Sequence, residues 1–75
     1  MPRLPAISGK KAVDAFKEAG WQVARRAGSH VILTKVGMLT ILSVPDHREV
    51  RRGTLRSLIR KAGLSVEEFV ALLRD

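Results

Sequence analysis

The apolar residues of this chain change their spacing twice, and that switch constrains the fold more than any single motif does. From Ser8 to Ala19 they recur at helical intervals. Ala12, Ala15, Phe16 and Ala19 fall at i, i+3, i+4 and i+7, which stacks them on one side of a helix, with Val13 widening the stripe. Ser8 can accept a hydrogen bond from the free N–H groups that open this helix, and Gly20 can take the left-handed conformation that closes it. Beyond Gly20 come short runs of β-branched and large apolar residues, punctuated by Gly28 and Gly37. They predict strands over Trp21–Arg25, His30–Lys35 and Met38–Val44. The connections around Ala27-Gly28 and Val36-Gly37 are short enough to be hairpins, so the three strands form an antiparallel meander. Both parities of the third run are apolar (Leu39 and Ile41 against Met38 and Leu42), which leaves open which sheet face is buried.

Helical spacing returns after Pro45 stops the third strand and a charged connection, Asp46 to Arg52, has passed. Leu55, Leu58, Ile59 and Ala62 repeat the same stripe, with Thr54 as the expected N-cap and Gly63 as the stop. Ser65-Val66-Glu67-Glu68 is a capping box, and Leu64 with Phe69 is placed to form a hydrophobic staple. A last helix is therefore expected from there to about Arg74. The resulting order is α-β-β-β-α-α, an α+β fold with a three-stranded antiparallel sheet and helices on one face; the other face is open to solvent or to a partner. Met1 to Pro5 reads as an extended arm, and Trp21 and Phe16 as core aromatics. Seventy-five residues are about half of a typical domain's length, so one domain over residues 1–75 is expected, without room for a large enclosed active site.

Charge narrows the function classes. Fourteen Lys and Arg against seven Asp and Glu give a net +7, a positive field that suits a polyanion or an acidic protein. The excess is local. Arg48, Arg51, Arg52, Arg56, Arg60 and Lys61 face a single acid, Glu49, between positions 48 and 61. Arg56 and Arg60 project together from the flank of the second helix, beside the Leu55/Ile59 stripe, where guanidinium forks can take phosphate oxygens while the leucines stay buried. A merely solvated helix face is the competing reading, but the acids that would neutralise it are missing.

The chain has no cysteine, which excludes disulfides, thiolate metal sites and a Cys nucleophile. Its two histidines and scattered carboxylates show no metal-ligand spacing, and no cofactor is expected. No nucleophile-elbow pattern precedes Ser29, and with two Phe and no Tyr a base-stacking platform has little support. No apolar run approaches the roughly 20 residues of a membrane span and no signal-peptide stretch is present, so a cytoplasmic location without membrane contact is expected.

Arg25-Arg26-Ala27-Gly28-Ser29-His30 places an imidazole at the start of a strand, after two arginines and a tight turn. Histidine is the side chain that exchanges protons near neutral pH, and the chain has two, His30 and His47. Cleavage of RNA by a ribose 2′-hydroxyl needs a base for that hydroxyl, an acid for the leaving oxygen and positive charge for the phosphorane. A histidine with nearby arginines supplies these. Spacing alone leaves His30 between this role and that of a hydrogen-bonded structural residue. His47, in Val44-Pro45-Asp46-His47, is an accessory acid or a plain loop residue, and Asp46 can orient its imidazole or cap the loop. Lys10, Arg25 and Arg26 are expected phosphate contacts from their charge and position, and Arg52, Arg56 and Arg60 from the basic run.

Several segments in order carry a resemblance. They are Ile7-Ser8-Gly9-Lys10, Ala19-Gly20-Trp21, Arg26-Ala27-Gly28-Ser29-His30, Val44-Pro45-Asp46-His47, Gly53-Thr54-Leu55-Arg56-Ser57-Leu58-Ile59 and Ala62-Gly63-Leu64-Ser65. In this order and spacing the chain resembles HicA-type toxins, also called YcfA-like proteins, the small mRNA interferases of toxin–antitoxin pairs. The resemblance implies a fold similar to a double-stranded RNA-binding domain. It also implies metal-independent cleavage of mRNA, a catalytic histidine in the Gly-Ser-His motif, which here is His30, and neutralisation by a HicB-type antitoxin protein. Many relatives carry a second histidine after that motif. Val31 stands there in this chain, so His30 acts alone or with a distant group such as His47, with Ser29 a possible accessory. A non-catalytic double-stranded RNA-binding module and a basic protein-interaction domain are the alternatives that the charge alone would equally explain.

Overall fold

The computed structural model describes residues 3–73; Met1 and Pro2 of the expected arm, and Arg74 and Asp75 at the expected end of the last helix, lie outside the described residues. The order is α1 (Gly9–Glu18), β1 (Gln22–Ala27), β2 (His30–Thr34), β3 (Leu42–Pro45), α2 (Arg52–Lys61) and α3 (Val66–Leu72). This is the expected α-β-β-β-α-α sequence of elements, with one antiparallel sheet in the order β1-β2-β3.

The helix boundaries follow local chemistry. Ser8 Oγ accepts from the Lys11 N–H at 3.2 Å. At the other end the Trp21 N–H reaches the Phe16 carbonyl and the Gly20 N–H reaches that of Lys17, while Gly20 sits at φ 99°. This double closure satisfies the last carbonyls of α1. The end of α2 is built the same way: Leu64 N–H to Ile59 O, Gly63 N–H to Arg60 O, and Gly63 at φ 77°. Its start differs from expectation. Arg51, not Thr54, is the N-cap and makes no side-chain cap bond; Thr54 lies inside the first turn. The helix begins early because the Arg52 Nε donates to the Leu4 carbonyl at 3.0 Å, which docks its first residue on the N-terminal arm. The capping box of α3 forms in both directions, Ser65 N–H to Glu68 Oε1 at 2.8 Å and Glu68 N–H to Ser65 Oγ at 3.0 Å. These bonds hold the Glu68 carboxyl below its ordinary pKa, the backbone N–H of Ser65 contributing most.

The strands shift relative to expectation. β1 starts at Gln22 and continues to Ala27, while Trp21 turns into the core at the end of α1, 2% exposed, with its indole N–H buried and unpartnered. The turn expected at Val36-Gly37 forms, with the Met38 N–H on the Lys35 carbonyl at 3.0 Å and Gly37 at φ 86°, but β3 starts at Leu42 and not at Met38, so the β2–β3 link is a loop over residues 35–41 and not a tight hairpin. Register explains this. Leu33 pairs with Leu42 and Val31 with Val44, and these four residues are buried with Phe16, Trp21, Leu55, Ile59 and Phe69 in one core. Sliding the pairing to shorten the loop by one residue would turn that set outward. Met38, Leu39 and Ile41 are left exposed. The three helices share the sheet face of Val31 and Leu33, with Phe16 of α1 and Phe69 of α3 at 5.0 Å between ring centroids. His30, Ile32 and Thr34 take the other face by strand alternation.

Candidate functional site

One local irregularity sets which arginine shares a face with His30. Ala27 pairs with His30, Arg26 with Val31 and Arg25 with Ile32, but Val23 pairs with Leu33, so Ala24 is an extra residue in β1. Such a bulge reverses the facing of everything beyond it. Without it Arg26 would stand opposite His30. With it, Arg25 lies on the open face beside Ile32, two residues along β2 from His30, and Arg26 goes to the helix side. Ile32 is buried yet belongs to no part of the helix-side core, flanked on that open face by its partners Arg25 and Ser43.

The hairpin that presents His30 is a two-residue turn, Gly28-Ser29, between the paired Ala27 and His30. Gly28 has φ 61° and Ser29 does not have a positive φ, the arrangement of a turn whose twist matches its strands and whose first position demands glycine. Long-range backbone bonds then pin the turn. The Asp46 N–H donates to the Ser29 carbonyl at 2.7 Å, and the Gly9 N–H donates to the His47 carbonyl at 2.9 Å. Arg26 and Asp46 close the corner with an ion pair at 2.7 Å, exposed on both sides. The Asp46 carboxylate is thus turned to Arg26 and does not orient His47, as the sequence had allowed.

Lys10, Arg25, Arg26, Ser29, His30 and His47 are thereby gathered at one end of the sheet, where the β1–β2 turn, the exit of β3 and the start of α1 meet. All six are exposed. Val31 points into the core, so its position faces away from His30's surface. Arg56 and Arg60 form a separate exposed row along α2. Arg52 starts that row, but its Nε is committed to the arm. The Val50 N–H bond to the Ile7 carbonyl at 2.8 Å ties the start of α2 to the same end of the molecule.

Gly9 has a positional role that its motif alone does not disclose. It is buried at the first position of α1, and a Cβ there would collide with the Pro45 carbonyl oxygen and meet the Asp46 Cα at 3.0 Å. A glycine where helix propensity disfavours it was the available signal. The arm also brings Arg3 to the flank of α2, beside Arg52 and Arg56.

The arrangement offers an exposed imidazole at the rim of a cationic surface. Among the described residues no three His, Asp or Glu side chains gather as metal ligands, and no helix is long and apolar enough to cross a membrane. A family model described as the HicA toxin of bacterial toxin-antitoxin systems matches residues 9–64. No curated protein matches the chain.

Proposed function

The chain belongs to the HicA toxin family of bacterial toxin–antitoxin systems, and from that membership we propose that it is a metal-independent endoribonuclease acting on mRNA with His30 as the catalytic residue. The observation that carries the reading is the pinned corner, where His30 stands exposed at the strand start and Arg25 shares its sheet face.

In this mechanism the His30 imidazole takes the proton of a ribose 2′-hydroxyl as that oxygen attacks the adjacent phosphorus. The P–O5′ bond breaks, leaving a 2′,3′-cyclic phosphate on one fragment and a 5′-hydroxyl on the other. Arg25 and Lys10 stabilise the charge on the phosphorane. His47 protonates the leaving oxygen, since a single imidazole cannot serve as base and acid in one concerted step. Ser29 supports the turn through its carbonyl. Arg26 holds Asp46 and contributes field more than direct contact. Arg52, Arg56 and Arg60 bind the strand beyond the scissile bond. A HicB-type antitoxin is the protein that neutralises the activity, and a +7 surface favours an acidic one.

The test is incubation of a long single-stranded RNA with purified protein in EDTA, beside His30→Ala. Cleavage by wild type alone, with a cyclic phosphate end, is the expected outcome, and the variant's stability should change by no more than about 0.5 kcal/mol because the residue is exposed. Full cleavage by folded His30→Ala would remove His30 from catalysis. Intact RNA that both proteins still bind would favour a non-catalytic binding module.

A further inference from the structure

A groove on the helix side lies between the N-terminal arm, the first half of α2 and the start of α3. Arg3, Leu4, Pro5, Arg52, Arg56 and Val66 line it together with Ser65 and Glu67.

Its chemistry is mixed. Among the described residues neither Arg3 nor Arg56 has an ion pair or a hydrogen-bond partner. Arg52 is held at Nε by the Leu4 carbonyl, so its outer N–H groups are presented at a fixed angle. Pro5 and Val66 are half-buried and Leu4 lies beneath them. Guanidinium groups beside an aliphatic floor take carboxylates and a branched aliphatic side chain together. A nucleic-acid strand fits less well, because no lining residue is aromatic and the aliphatic floor gives a phosphate backbone nothing to bind.

We propose that this groove docks an acidic, leucine-type segment of the toxin's own antitoxin. The inference rests on the toxin–antitoxin reading and not on catalysis by His30. Because Arg56 belongs to both surfaces, a docked segment also blocks part of the expected RNA path.

The probe is a short fluorescein-labelled peptide of alternating leucine and glutamate, with a leucine–glutamine peptide as its neutral counterpart, titrated into the full chain. Binding is read by anisotropy and mapped by amide shifts. The expected result is binding of the acidic peptide only, with shifts at Arg52, Arg56, Val66 and Glu67. Arg3→Glu should weaken it by roughly tenfold, the loss of one charge-assisted pair, and Glu67→Lys should tighten it. Equal binding of the neutral peptide, shifts confined to the His30 corner, or an RNA oligonucleotide that moves the groove amides when the peptide does not would each overturn the proposal. RNA cleavage by Arg3→Glu, followed in the same samples, separates the two readings. Peptide binding lost with cleavage retained supports the groove, whereas peptide binding present in a protein that never cleaves leaves the groove standing and removes the nuclease.

Discussion

Gly9→Ala sets helix propensity against tertiary packing, and the two predict opposite signs. Replacing glycine by alanine within a helix stabilises by up to about 1 kcal/mol. In the structure, however, the new Cβ would overlap the Pro45 carbonyl oxygen, with the Asp46 Cα at 3.0 Å. Both are backbone atoms and cannot rotate aside. The start of α1 must part from the exit of β3, which costs about 1 to 3 kcal/mol for the overlap. Stretching the 2.9 Å bond from Gly9 N–H to His47 O costs about 1 kcal/mol more. After the propensity gain the net is a loss of roughly 1 to 3 kcal/mol. Gly53→Ala is the matched comparison: it also lies in a first turn, with no positive φ and open space where its Cβ would go. It should stabilise, by no more than about 1 kcal/mol. Urea unfolding followed by Trp21, the only tryptophan and a buried one, measures both. Amide shifts at Ser29, Asp46 and His47 should move in Gly9→Ala alone. A Gly9→Ala protein as stable as wild type, or both variants moving together, would refute the close approach of α1 to Pro45.

Arg56→Glu with Arg60→Glu should weaken RNA binding more at low salt than at high salt, since fewer counterions are released; filter binding across a salt series checks this, and an unchanged low-salt affinity takes α2 out of the interface. Leu58→Ala, at a buried position 5% exposed, should cost about 2 to 5 kcal/mol, enough to threaten a chain of this size, as thermal unfolding would show. Glu68 has a folded pKa lowered by its capping bonds, so its contribution is present above the unfolded value and is lost as pH falls through the lowered one. Wild type should therefore exceed Glu68→Gln in stability at neutral pH, and the difference should vanish well below pH 4.5, the ordinary value; a difference that persists in acid contradicts the capping account.

Much of the fold was legible because the signals are short-ranged. Ser8, Gly20, Gly63 and the Ser65–Glu68 box act within a few residues along the chain, and each does in the structure what its type and spacing imply. Thr54 failed as a cap because the competing term was distant: Arg52 docks on Leu4, 48 positions away in sequence, and draws the start of α2 forward. Met38–Ile41 failed as strand because apolar residues of either parity satisfy a local rule, whereas only one register buries Val31, Leu33, Leu42 and Val44 together. At the candidate site the histidines and arginines were visible by type, but not the pairing of Arg26 with Asp46.

The sequence by itself determined the order of elements, their caps, the cationic character and the residues available for proton transfer, all properties of single side chains or of neighbours within a turn. Tertiary structure alone decided the sheet face, the extra residue in β1 that sends Arg25 and Arg26 to opposite sides, the close approach that requires glycine at position 9, and the groove between arm and helices. These depend on which distant backbones meet. Register and steric exclusion act between segments far apart in the chain, and no local pattern encodes them.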